Sequence, residues 1–299
     1  MAWLLSGCIA LSSPFAQLRH SQLALADKRI LITAPRVDAA PLVATLLEAG
    51  AHPLWCPTVR VEPLSDDEAT DLDDALMRIS EYDVLLLADR HALDAVAARG
   101  TALADGNKEV FTRMLRGAAV DVATAAALSN SVALGLGTPA TVIPFDSSAE
   151  GMAHALALLR PNARVVLPTP HAAAPVPEVE ALVAALESSG ASVSQRPAYK
   201  LADVTRSALQ SVEFGLLKGG GVDAVCVGSA QEVHGLCEAL GSATGQELPF
   251  LAVMGKEAVH AAKRAGLNVG AEVDPRTSSD LDPWTLALSE HFCANRLLF

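Results

Sequence analysis

Arg29-Ile30-Leu31-Ile32-Thr33-Ala34-Pro35, a helical stretch and Gly50-Ala51 decide the fold, because the series returns as Arg164-Val165-Val166-Leu167-Pro168-Thr169-Pro170, a helical stretch and Gly190-Ala191. The correspondence keeps step beyond the glycines. Pro57 matches Pro197, and Tyr82-Asp83-Val84-Leu85-Leu86-Leu87 matches Val222-Asp223-Ala224-Val225-Cys226-Val227, an offset of about 140 residues, with an amphipathic helix after each. Ala/Leu-rich helices align with one another readily by chance. Shared offsets for Gly-Ala, proline and strand-aspartate positions are harder to obtain that way, so the reading is a duplicated α/β unit with a working cleft between two similar lobes.

At 299 residues the chain is long enough for two such lobes, each of ordinary domain size. Hydrophobic residues make up 51% of it and aromatics only 4%, so the core is Ala, Leu and Val, which suits small-faced helices on aliphatic strands. No apolar run reaches the length of a membrane span. A net charge of -12, without clustered Lys or Arg, argues against a phosphate backbone as partner. Anions can still be held by helix N-termini and turn amides, whose partial charges do not depend on net charge. Cys8, Cys56, Cys226, Cys237 and Cys293 show no CxxC or zinc spacing and read as scattered reduced thiols.

Residues 1–27 read as a segment ahead of the fold. The first 26 contain no acid, a single Arg, several Ser and an apolar stretch, the composition of an organelle transit peptide. A plain disordered extension is an alternative. Leu4-Leu5-Ser6-Gly7-Cys8 also looks like a bacterial lipoprotein box, although it lacks the basic start. The expected compartment is the plastid stroma if the transit reading holds, and the cytoplasm otherwise.

From Lys28 onward strand and helix alternate almost throughout, which means parallel sheets covered on both faces, with ligands at the carboxyl ends of the strands. Asp66 to Ile79 reads as an exposed amphipathic helix with a solvated acidic face. Two Pro-bearing extended segments, 57–63 and 195–201, stand at equivalent points of the repeat. If both cross between lobes they pair as an antiparallel ladder, a two-stranded hinge. Residues 28–56 plus 202–299 then form one lobe, and 64–194 the other.

Familiar cofactor motifs are missing. No GxGxxG follows the first strand, Lys218-Gly219-Gly220-Gly221 has the wrong order for a P-loop, and there is no GxSxG, HExxH or paired-His signature. Glu290-His291-Phe292-Cys293 reads as ordinary terminal helix, so neither metal nor cofactor is expected.

What remains is a set of hydroxyl and glycine residues at strand-to-helix turns in both halves. One runs Val120-Asp121-Val122-Ala123-Thr124-Ala125-Ala126, Gly135-Leu136, then Pro144-Phe145-Asp146-Ser147-Ser148-Ala149-Glu150-Gly151. The other runs Val253-Met254-Gly255-Lys256-Glu257-Ala258-Val259, Gly266-Leu267, then Pro275-Arg276-Thr277-Ser278-Ser279-Asp280-Leu281. Together with Ile30 to Pro35 and Ala198-Tyr199-Lys200, the order resembles the uroporphyrinogen-III synthase family, from about residue 28 to about residue 290.

That resemblance implies two flavodoxin-like or Rossmann-like lobes and a cofactor-free cyclising lyase. The family's substrate is the linear tetrapyrrole hydroxymethylbilane, which loses water, inverts its last pyrrole ring through a spiro intermediate and closes to uroporphyrinogen III. The implied partners are this substrate and, transiently, the enzyme that supplies it, with the chain a monomer. Tyr199 lies where the family has its best-attested catalytic side chain and is expected to donate a hydrogen bond or proton to the departing hydroxyl. Thr33, Thr124, Ser147, Ser148, Gly228, Ser229, Gly255 and Ser278 are expected to hold the eight carboxylates of the substrate. Ser229 fits the family's serine after the Asp-bearing strand, and Thr124 its first-lobe threonine. Asp121 stands where glycine is usual, Ala258 replaces a threonine, Ala34 replaces a frequent arginine, and Asp89 occupies a serine position. Because of these departures, two other classes stay open: a non-catalytic tetrapyrrole-binding relative, and a hinged small-molecule sensor.

Overall fold

The computed structural model describes residues 25–105, the backbone of 119–122, and residues 148–172, 175–204, 211–241, 248–274 and 282–296. In chain order its strands are β1 (Arg29–Ile32), β2 (His52–Trp55), β3 (Val59–Pro63), β4 (Val84–Leu87), β5 (Ala119–Val122), β6 (Arg164–Ala172), β7 (Ser192–Asp203), β8 (Ala224–Val227), β9 (Phe250–Met254) and β10 (Ala271–Val273). The helices are α1 (Arg36–Glu48), α2 (Thr70–Met77), α3 (Arg90–Leu103), α4 (Ala149–Leu159), α5 (Pro177–Ser188), α6 (Val212–Lys218), α7 (Ala230–Leu240), α8 (Lys256–Arg264) and α9 (Pro283–Arg296).

Two five-stranded sheets result, ordered β10-β9-β8-β1-β2 and β3-β7-β6-β4-β5. The first is parallel throughout. The second is parallel except for β3, which runs against β7 from Val59↔Asp203 to Pro63↔Tyr199. Each sheet mixes the two sequence copies. Strand β1, with β2 on its far side, takes β8 as neighbour, and its counterpart β6, with β7 on its far side, sits beside β4, so each copy completes the sheet of the other. The junction is chemically the same in both. Asp83 N–H donates to the Arg164 carbonyl at 2.9 Å while Arg164 N–H donates to the Asp83 carboxylate at 2.8 Å. Asp223 and Arg29 exchange the equivalent pair at 2.8 Å and 2.8 Å.

Burial on both faces explains the aliphatic strands. Ile30 and Ile32 point to one side, against Leu42 and Leu46 of α1 and Trp284 and Leu288 of α9. Leu31 points to the other, among Val225, Phe214 of α6, Val233 and Leu236 of α7 and Val259 of α8. The second sheet repeats this, with Leu85 and Leu87 facing Leu76 of α2 and Leu93 of α3, and Val84 and Leu86 facing Leu156 of α4 and Leu186 of α5. Gly50 (φ 80°) and Gly190 (φ 95°) take the left-handed conformation that ends α1 and α5.

Some local expectations change. The extended stretch after Gly50 divides into β2, at the edge of the first sheet, and β3, at the edge of the second. Segment 195–201 is more than a connector. It is the middle of a 12-residue strand paired with β6 on one side and, from Tyr199, with β3 on the other. Pro197 is tolerated there because the β6 register shifts beside it, between Thr169 and Pro170. The acidic helix starts only at Thr70, because the Glu68 carboxylate folds back on the Ser65 amide at 3.0 Å and hydroxyl at 2.6 Å and holds a turn.

Candidate functional site

Tyr199 sits in β7 opposite Pro63, within the core between the second sheet and α3. It is 5% exposed, and its hydroxyl donates to Asp89 Oδ2 at 2.8 Å. Asp89 is the N-cap of α3, its Oδ1 accepting the Ala92 amide at 2.7 Å. Two residues on, the His91 ring lies 5.5 Å from the Tyr199 ring, and its Nε2 is 2.8 Å from Asp38 Oδ2. Asp38 belongs to the first turn of α1, beside the other sheet. Tyr199 therefore stands two contacts from the facing lobe. Burial and then the negative Asp89 push its phenol far above the ordinary value, so it does not ionise on its own.

Thr33, Gly228 and Ser229 also meet, around a residue that sequence reasoning passed over. The Thr33 hydroxyl donates to Glu232 Oε2 at 2.6 Å, the Gly228 amide to the same oxygen at 2.9 Å, and Ser229 Oγ lies 3.2 Å from Oε1. Thr58 donates to the Glu232 carbonyl at 3.1 Å. Thr33 is fully buried and Glu232 is 5% exposed, so in this arrangement the expected anion cradle is filled by the chain's own carboxyl. Burial raises the Glu232 carboxyl above its ordinary value, against three hydrogen bonds that lower it. Ser229-Ala230-Gln231-Glu232 has the spacing of a capping box, the signal by which this glutamate was legible.

The remaining expected residues do not gather there. Ser148 caps α4, its Oγ accepting the Gly151 amide at 3.1 Å. Gly255 precedes α8 with φ 83°, and its amide donates to Val273 O at 3.1 Å. Thr124, Ser147 and Ser278 lie outside the described residues.

A second bond links the lobes: Glu178 Oε1, in the first turn of α5, accepts the Ala230 amide that opens α7 at 2.8 Å. Near it, Pro177 and the α8 side chains Glu257, His260, Lys263 and Arg264 line a cavity of about 370 Å³. This cavity shares no lining residue with the Tyr199 cluster. Among the described residues, no group of three or more His, Cys, Asp or Glu side chains is arranged to hold a metal ion. None of the described helices is long and apolar enough to cross a membrane.

Two duplicated α/β lobes, joined by the Asp38–His91 and Glu178–Ala230 bonds, define a two-lobed protein of doubly wound type. The family profile of uroporphyrinogen-III synthase (HemD) matches residues 40–280, and the chain belongs to that family of cyclising lyases. It is 27% identical over 223 residues to the uroporphyrinogen-III synthase of Synechococcus elongatus, covering 74% of this chain and 78% of that one. Its fold is similar to the crystal structure of a mutant uroporphyrinogen III synthase from Thermus thermophilus, with TM-score 0.56 and 19% identity over 90% of this chain and 99% of that one. A second crystal form of the Thermus protein superposes with TM-score 0.42 at 20% identity, covering 90% of this chain and 98% of that one.

Proposed function

We propose that this chain dehydrates and cyclises hydroxymethylbilane to uroporphyrinogen III, with Tyr199 at the reacting end. The Tyr199–Asp89 bond at the meeting of the lobes carries the reading, because it places a buried phenol beside a carboxylate where the departing hydroxyl needs a donor. The terminal C–O bond breaks and the hydroxyl leaves as water with a proton delivered by Tyr199, which is restored by the proton that the closing pyrrole releases on regaining aromaticity. An azafulvene-like cation remains, which Asp38 and Asp89 stabilise electrostatically. Attack at the substituted carbon of the last ring gives the spiro intermediate, and ring opening and reclosure give the inverted isomer.

Because the linear substrate closes unaided to the symmetrical isomer, the catalyst's main task is to hold a geometry in which the other closure is faster. In this proposal the lobes, 28–56 plus 202–299 and 64–194, rock on the paired segments 57–63 and 195–201. Lys263, Arg264 and His260 meet substrate carboxylates at the cavity beside Pro177. The chain works as a monomer in the plastid stroma, in transient contact with the enzyme that supplies its substrate.

The test is a coupled assay fed by a hydroxymethylbilane-producing enzyme, with the oxidised porphyrins resolved by chromatography. Isomer III is expected from the parent chain and is lost in Tyr199→Phe. Isomer I alone, despite measurable substrate binding, overturns the proposal and makes the chain a tetrapyrrole binder.

A further inference from the structure

Arg36 stands at the wrong end of its helix. It is the first residue of α1, where the helix dipole disfavours a cation, and its side chain makes no hydrogen bond or ion pair with any described residue. The chain has 34 Asp and Glu against 22 Lys and Arg, so a scarcity of acids does not explain a guanidinium without a carboxylate. What Arg36 faces is a ring. Its guanidinium carbon lies 5.7 Å from the centre of the Trp55 indole, within the range of a cation–π contact. Trp55 is 40% exposed, whereas the other described tryptophan, Trp284, is 8% exposed. The indole is fixed all the same, because its N–H donates to the Ala34 carbonyl at 3.0 Å. Trp55 pairs with Ile32 at the carboxyl end of the first sheet, where sheets of this kind take their ligands, and the neighbour of Arg36, Val37, is also exposed.

A pinned aromatic face beside an unpaired guanidinium fits an aromatic ring that carries a carboxylate. The ring stacks on the indole and the carboxylate takes two N–H groups of the guanidinium. A bare ring would leave Arg36 unpaired, and a bare carboxylate would leave the indole in water. A pyrrole with carboxylate arms satisfies both. Resting on the reaction proposed above, we propose that Arg36 and Trp55 form a substrate-binding ledge for one of the carboxylate-bearing pyrrole rings remote from the reacting end. The placement suits this, since Asp38, in the same turn of α1, bonds His91, whose ring lies against Tyr199. A substrate that reacts at Tyr199 has the rest of its length to lay along the start of α1. Contact with a ring that does not react is the same before and during the chemical step, so the ledge lowers KM and leaves kcat alone. It also bears on the isomer formed, because substrate that is not held closes unaided to the symmetrical one.

The test measures isomer-III formation against hydroxymethylbilane concentration in the parent, Arg36→Gln, Arg36→Lys, Trp55→Leu and the Arg36→Gln, Trp55→Leu double variant. Loss of a charge-assisted bond predicts a KM about tenfold higher in Arg36→Gln with kcat little changed. Lysine keeps the charge without the planar fork and recovers part of the loss. Trp55→Leu raises KM as well, and the double variant loses less than the product of the two, because Arg36 is held over the indole. Arg36 is exposed, so Arg36→Gln is expected to melt with the parent and decides the matter should Trp55→Leu fold poorly. A parent-like KM in Arg36→Gln, or a lower kcat at unchanged KM, overturns the ledge. A second readout does not need turnover. Uroporphyrin III, the stable oxidised form of the product, is titrated into isotope-labelled protein and the Trp55 indole N–H resonance is followed by NMR. It is expected to shift in the parent at concentrations that leave Arg36→Gln unmoved, and a resonance unmoved in the parent overturns the ledge. A parent that yields isomer I alone overturns the reaction, and the titration then decides the ledge by itself. Isomer III from the parent beside a parent-like KM in Arg36→Gln overturns the ledge only.

Discussion

Glu178 grips the helix that faces it, its Oε1 accepting the Ala230 amide at 2.8 Å from the opposite lobe. The equivalent place in the first copy is Asp38, which bonds His91 in the first turn of α3 at 2.8 Å. Each copy thus sends one carboxylate, from the first turn of the helix after its first strand, to a helix N-terminus packed on the other sheet. The partial positive charge of that terminus favours the contact. Tyr199 and Asp89 lie beside one of these clasps, so lobe approach and the proposed chemistry share residues.

Glu178→Ala removes one clasp and leaves the Ala230 amide without its side-chain acceptor. A carboxylate hydrogen bond at a half-buried helix start is worth about 1–2 kcal/mol. The variant is expected to unfold at lower denaturant and to show a larger radius of gyration in small-angle scattering. Glu178→Gln, which keeps an acceptor, is expected to lose less. Equal stability and equal radius in parent and Ala variant would show that the clasp holds nothing.

His91 makes the other clasp depend on pH. Burial lowers its imidazole, but the Asp38 hydrogen bond and the charges of Asp38, Asp89 and Asp94 outweigh burial, so it stands above its ordinary value. A group raised on folding contributes stability that is fully present below its unfolded value of about 6.5 and is lost as pH rises through the folded value. His91→Gln is expected to flatten the stability profile in that window. An imidazole resonance of His91 titrating at or below the free value in NMR would contradict this.

Much of the architecture was legible because it is written locally. Ile30, Leu31 and Ile32 are apolar on both faces of a strand, Gly50 and Gly190 end helices in the same place, and Asp83 and Asp223 open the same strand twice. Tyr199 was reached through resemblance, and so was Asp89, though only as a departure from the family's serine; their bond to each other and the neighbouring His91 were not. Asp38, Glu178 and His91 each look like a solvated helix residue when read alone, since their partners are far along the chain. Glu232 looked the same, although its spacing from Ser229 announced a cap. The double pairing of β7 was hidden by Pro197, which argues against an interior strand unless a register shift stands beside it.

Glu232→Gln tests the filled cradle. The carboxyl is buried among Thr33, Gly228 and Ser229 and raised by that burial. Between its unfolded value of about 4.3 and its higher folded value the native state binds the extra proton, so native stability falls as pH rises through that range. Glutamine accepts the same Thr33 and Gly228 bonds without a charge to bury. Its stability relative to the parent is expected to rise with pH above about 4.3 and then level off, measured by urea unfolding at a series of pH values. A parent that gains on the variant as pH rises would mean that the three hydrogen bonds outweigh desolvation.

Gly235 sets how closely α7 can approach β3, the strand through which the chain passes from one sheet to the other. A Cβ built on Gly235 falls 2.6 Å from the Thr58 carbonyl oxygen and 2.9 Å from its Cβ, distances that real side chains do not tolerate. The contact involves backbone, so a rotamer change cannot relieve it, and Thr58 is itself tied to the Glu232 carbonyl at 3.1 Å. Gly235→Ala must therefore push α7 away from the start of β3. Overpacking of this kind costs about 1–3 kcal/mol, more than the fraction of a kilocalorie to about 1 kcal/mol that alanine gains over glycine inside a helix. The expected result is a net loss of stability, with faster amide exchange at Val204, whose N–H donates to the Thr58 carbonyl at 3.0 Å. A variant as stable as the parent would mean that α7 and β3 are held less closely than these distances state.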